Sequence, residues 1–232
     1  MFKYLVGVDH GQAQDYTAIV VLERREITEP PGADVENWHP ALHGNIKIVN
    51  LYEVRHIERP PLGTSYPDIV DRLKTILAAP ELQVEVAIIV DQTGAGRPVL
   101  DMMQRSRIFP IGITITGGST ATRSDGGFHV PKKELVAALQ LYLQSGRLKI
   151  ASSLPEASVL KNEILNFKVK VNLKTGGESF ESWRENEHDD LVLATALPIW
   201  YAQRFDVERT LADEHAASQQ QDDWDPLRWG LE

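Results

Sequence analysis

The run VEVAIIV at 84–90 is apolar on both faces of a strand, and a strand without a polar face has to be covered from two sides. It falls far short of the roughly 20 residues needed to cross a bilayer, so it predicts the buried centre of a sheet packed between helices. A chain of 232 residues is long enough to build one such α/β domain and bury most of its unfolded surface. It contains no cysteine, which excludes disulfides and thiolate metal sites. The N-terminus MFKYLVGVD sets an Asp inside its apolar stretch, unlike a signal sequence. The expectation is a soluble, cytoplasmic protein with no membrane partner.

The remaining elements group around that strand. KYLVGV at 3–8 and TAIVVLE at 17–23 read as a hairpin, and IKIVNLYEV at 46–54 alternates as a third, half-buried strand. Pro67 opens a helix carrying Ile69, Val70, Leu73, Ile76 and Leu77 at helical spacing. A helix at about 98–106, a strand at 111–116 and a glycine-rich polar loop, GGSTATRSDGG, follow the central strand. The next helix begins near Pro131, carries Leu135, Val136, Leu139, Tyr142 and Leu143, and stops at Gly146. A helix near 155–166, a hairpin formed by FKVKVNL and SFESW, and an apolar helix from His188 complete the body, with Pro198 expected to kink that helix or cost it one hydrogen bond.

An antiparallel three-strand meander followed by parallel strands, flanked by helices and with an added hairpin, is the element order of the ribonuclease H-like α/β fold. The expected organisation is one such domain over 1–205 and an acidic, flexible tail over 206–232, where eight acids face two bases. That tail carries most of the formal charge of −9. Residues 121–175 hold nine Lys or Arg against four acids, so a local basic face remains open to an anionic partner.

Sites in such sheets collect where strands end. Asp9 ends the first strand, Asp91 ends the buried one, and Asp189 and Asp190 open the last helix. Each has an ordinary structural role available, as a turn residue or an N-cap. Together they form a set of three to four carboxylates on one edge, hard ligands that suit Mg²⁺ or Mn²⁺. Two such ions about 4 Å apart clamp the attacking water and the leaving oxygen of a phosphodiester.

The segments GVDHGQAQDYTAIVVL, IIVDQTGAG, VPKKELVAALQLYLQSGRLKI, LKNEILNFKVKV and ENEHDDLVLATAL resemble the nuclease domain of the large subunit of tailed-phage terminases, which package and cut viral DNA. The likeness spans about residues 3–204. It implies that Asp9, Asp91 and the Asp189/Asp190 pair are the metal-binding, catalytic acids, with Asp9 bridging two ions, and that Asp15 and Thr17 support them. It also implies double-stranded DNA as substrate, and an ATPase domain, a small subunit and a portal as partners. Family members often carry a further acid where this chain has Leu193. No G-x-x-x-x-G-K-[ST] phosphate loop occurs, so the expectation is a nuclease half without ATPase activity.

His188 is a candidate metal neighbour or general base, or a solvated helix-start residue. Lys132, Lys133 and Arg147 are candidate phosphate contacts, and Lys168 and Lys170, on one face of the predicted hairpin, are stronger ones. The first reading is a divalent-metal-dependent endonuclease for double-stranded DNA. A Holliday-junction resolvase, or a catalytically silent module that docks DNA or a portal, are the alternatives.

Overall fold

The computed structural model describes residues 2–11, 15–29, 46–94, 96–166, 189–206 and 209–210. The chain divides into two compact units, one comprising 1–24 with 52–205 and the other 25–51 with 206–232.

The strands in chain order are β1 (Tyr4–Asp9), β2 (Ala18–Glu29), β3 (Lys47–Glu58), β4 (Val86–Asp91), β5 (Ile111–Thr116), β6 (Thr122–Ser124), β7 (Gly127–Pro131) and β8 (Leu148–Ile150). Their order across the sheet is β6-β7-β5-β4-β1-β2-β3-β8. β1 runs antiparallel to β2 and parallel to β4, β4 parallel to β5, and β5 parallel to β7. The stretch β3-β2-β1-β4-β5 is the ribonuclease H-like core. The helices are α1 (Tyr66–Leu77), α2 (Gly96–Arg105), α3 (Lys132–Gln144), α4 (Ala157–Asn166) and α5 (Asp190–Gln203). None is long and apolar enough to cross a membrane among the described residues.

Strand alternation creates two cores. Val6, Val8, Ile19, Val21 and Val90 pack with Val70, Leu73, Val99 and Met103 of α1 and α2. Leu5, Val20, Leu22, Ala87 and Ile89 pack with Leu135 and Leu139 of α3, Leu160 of α4 and nearly all of α5. Each fully buried Leu, Ile or Val contributes roughly 1.5–3 kcal/mol, which is why α5, buried from Asp190 to Ala202, needs no polar face.

α5 runs through Pro198 without interruption. Proline has no N–H to give the carbonyl of Ala194 four residues earlier, and that carbonyl lies against Gly7 of β1, where an added Cβ would sit 1.9 Å from it. Gly7 thus lets the helix rest on the strand backbone, and the lost hydrogen bond falls at this contact.

Four strands go beyond the sequence reading, β7 among them. The glycine-rich loop after β5 contains the short β6, antiparallel to β7; β8 adds to β3 in parallel. In the smaller unit Arg209–Thr210 forms β9 against Lys47 and Ile48, and Asn50 donates to Asp206 at 2.8 Å, so the segment after 205 begins as paired chain. The predicted hairpin of FKVKVNL and SFESW lies outside the described residues.

Candidate metal centre

The parallel register pairs Val8 with Val90, which sets Asp9 and Asp91 side by side at the end of the two central strands. Alternation then fixes their direction. Gly7 faces α5, so Asp9 two residues on faces α5 as well; Ala87 and Ile89 belong to the core beneath α5, and Asp91 follows them. α5 lies over β1 with its N-terminus toward this edge, bringing Asp189 and Asp190 to the strand-end acids.

Electrostatics show how close the gathering is. Asp9 is 7% exposed and Asp190 6%. Burial pushes the Asp9 carboxyl well above the usual carboxylate range, and repulsion from Asp91, Asp190 and Asp189 adds to it, together with a hydrogen bond between Asp9 and Asp91. Asp91 Oδ1 also accepts from the backbone N–H of Thr93 at 2.7 Å.

The helix acids are engaged by cations of the chain. Lys132 Nζ, at the start of α3, donates to Asp189 Oδ2 at 2.6 Å, and an Arg59 guanidinium nitrogen stands 3.5 Å from Asp190 Oδ2. Among the described residues no three His, Asp or Glu side chains stand ready to hold one ion. Side-chain cations engage the two helix acids instead. The donor set nevertheless suits a hard divalent ion: four carboxylates and no thiolate.

Three residues at the site were not picked out from the sequence. His10 follows Asp9; burial lowers its pKa to about 4, neither ring nitrogen has a hydrogen-bond partner, and the ring meets Tyr66 edge-on at 6.1 Å. Arg59, after β3, contacts Glu163 and lies over the Tyr16 ring at 4.9 Å. Glu163 of α4 accepts from the backbone N–H groups of Leu191 and Val192 at 3.0 and 3.2 Å. Its pKa is raised, burial outweighing the pull of Arg59 and of those two donors. A signal for Glu163 exists: it falls on the stripe of Val159, Leu160 and Ile164, where a charge has to find a partner. Arg59 has none.

The other expected residues disperse. Thr17 is buried and its Oγ1 accepts from the Gly11 N–H at 3.2 Å, holding the turn after β1, whereas Asp15 is exposed. Lys133 is half-buried. Arg147 lies beyond the far end of the 13-residue α3, about 20 Å along that helix from Lys132, with its guanidinium over Tyr142 at 5.0 Å. Lys168, Lys170 and His188 lie outside the described residues.

No protein-family profile matches the sequence, and no curated protein does. Among solved structures, the large terminase nuclease from thermophilic phage G20c is similar at 20% identity and a TM-score of 0.52, over 86% of this chain and 81% of that one. The chain has the fold of a terminase nuclease domain. A second similar structure is the human cytomegalovirus terminase nuclease domain soaked with Mn, at 13% identity and a TM-score of 0.47, covering 84% of this chain and 81% of that one.

Proposed function

We propose that this chain is a divalent-metal-dependent endonuclease that hydrolyses phosphodiesters of double-stranded DNA, in the setting of viral genome packaging. The observation that carries the reading is the convergence of Asp9, Asp91, Asp189 and Asp190, in which burial and the neighbouring acids raise the pKa of Asp9. A cluster of carboxylates that repel one another is one whose repulsion a divalent cation relieves. Asp9 and Asp91 would hold the ion, with Asp190 in preference to Asp189, because Asp190 is the more buried and acts more strongly on Asp9. Mg²⁺ or Mn²⁺ in this position, singly or as a pair, would lower the pKa of a bound water and neutralise charge on the phosphate.

The chain's own part is to keep that place partly dry and to guide the strand. Half-buried His10, its pKa lowered to about 4, lends no charge at neutral pH. Lys132 is poised between an acid of the cluster and an incoming phosphate, with Lys133, Lys168 and Lys170 as further backbone contacts. An ATPase domain, a small subunit and a portal are the partners that a packaging role implies, ATP hydrolysis falling to the first of these.

Plasmid DNA with Mn²⁺ or Mg²⁺ tests the reading: wild-type protein should nick and linearise it, EDTA should stop the reaction, and Asp9→Asn should reduce it at least ~1,000-fold while the protein stays folded. Full activity in EDTA or in Asp9→Asn would sink it. Preference for branched junctions over linear duplex would make the enzyme a resolvase. The reading as a silent docking module draws on the lack, among the described residues, of three acids set for one ion; absence of any Mn²⁺ binding would favour it.

A further inference from the structure

The N-terminus of α5 is capped from another helix. Asp189, the residue in the capping position, makes no side-chain cap bond; the task falls to Glu163 Oε2, which takes the N–H groups of Leu191 and Val192. The other oxygen, Oε1, accepts from Arg59. Arg59 extends to Asp190, and the side chains of Glu163 and Arg59 are almost as buried as those of the cluster, at 8% and 12% exposure. A helix opened by two aspartates would ordinarily spend one on its own free N–H groups. Borrowing the cap from α4 relieves both of that task.

We propose that Glu163 and Arg59 are a positioning pair: together they hold the first turn of α5 and the Asp190 carboxylate in register with Asp9 and Asp91, and so set the divalent-ion affinity of the cluster without touching ion or substrate. The inference rests on the metal-site reading above. Glu163 is a fifth carboxylate at the site, but both its oxygens are committed to three donors, which separates it from the ligand set. Arg59 is suited to the work because one of its guanidinium nitrogens stands between the two carboxylates and keeps its charge at any working pH.

Mn²⁺ titration of the purified chain, followed by the loss of free-ion EPR signal, reads the effect directly, alongside DNA cleavage at graded Mn²⁺. Arg59→Met and Glu163→Ala should weaken Mn²⁺ binding about 10- to 100-fold and shift half-maximal cleavage to correspondingly higher Mn²⁺, with the rate largely restored at saturation. Glu163→Gln, which keeps an oxygen for the helix N–H groups, should recover part of the affinity, and Arg59→Lys should recover less. Folded variants with wild-type Mn²⁺ affinity would overturn the positioning role alone, as would a loss of rate that no Mn²⁺ concentration restores. A wild-type chain that binds no Mn²⁺ would remove the metal reading, and this role with it.

Discussion

On the outer surface of the larger unit, bases stand beside acids. Arg55 pairs with Glu23 at 2.8 Å and Glu53 at 2.7 Å, and Arg72 with Glu58 at 2.6 Å. At the strand edge acids outnumber bases: four carboxylates gather with Lys132 and Arg59, and burial and repulsion raise the pKa of Asp9. The arginines outside are 48% and 47% exposed, so water screens those pairs and each contributes roughly 0–1 kcal/mol. Inside, the surplus negative charge is a standing cost to the fold. Charge that a protein arranges at a loss points to use, whereas charge arranged in pairs on a wet surface points to solubility.

The largest effect that would sharpen this contrast is on pH dependence. His10 has a folded pKa of about 4 against 6.5 ordinarily. Its lowered value means that the unfolded chain binds the proton first, so stability present above pH 6.5 is lost as pH falls through 4, by roughly 3 kcal/mol in full. His10→Phe should flatten that acid limb in urea melts, and an unchanged limb would show that the ring is solvated. Asp9 acts with the opposite sign. Its folded pKa is raised above 3.8, so its contribution is present below that value and lost as pH rises through the folded one. Metal-free protein should therefore weaken toward neutral pH.

The smallest effect belongs to the surface. Arg72→Ala should cost no more than about 1 kcal/mol, the difference should fade in 1 M salt, and any Mn²⁺ response should stay as in wild type. A large, salt-resistant loss would place Arg72 in the same class as Arg59 and break the distinction.

How much of this was legible in the sequence follows from the range of each signal. VEVAIIVD and KYLVGVD show their burial and their terminal acids within seven or eight residues, and the helix from Asp190 declares itself by its apolar run. β6, β8 and β9 have three, three and two residues, too few for a period to show, and form because an existing strand offers its edge. The cap of α5 was illegible for another reason. Asp189 looks like an N-cap by position, and only the packing of α4 on α5 shows that Glu163 has taken that role, 28 residues away. The pairing of Lys132 with Asp189 is likewise visible only once α3 brings the two together.

Thermal melts of metal-free wild type and Asp91→Asn across a Mn²⁺ series test the central claim, that these acids share one divalent-ion site. Removing one charge relieves repulsion on Asp9, so Asp91→Asn should melt higher than wild type without metal. Mn²⁺ binds the folded arrangement and should stabilise wild type by about 2.7 kcal/mol at a hundredfold excess over its Kd, and Asp91→Asn by much less. Equal Mn²⁺ shifts in the two proteins, with Asp91→Asn melting lower in the absence of metal, would instead make Asp91 a structural turn residue and contradict the account.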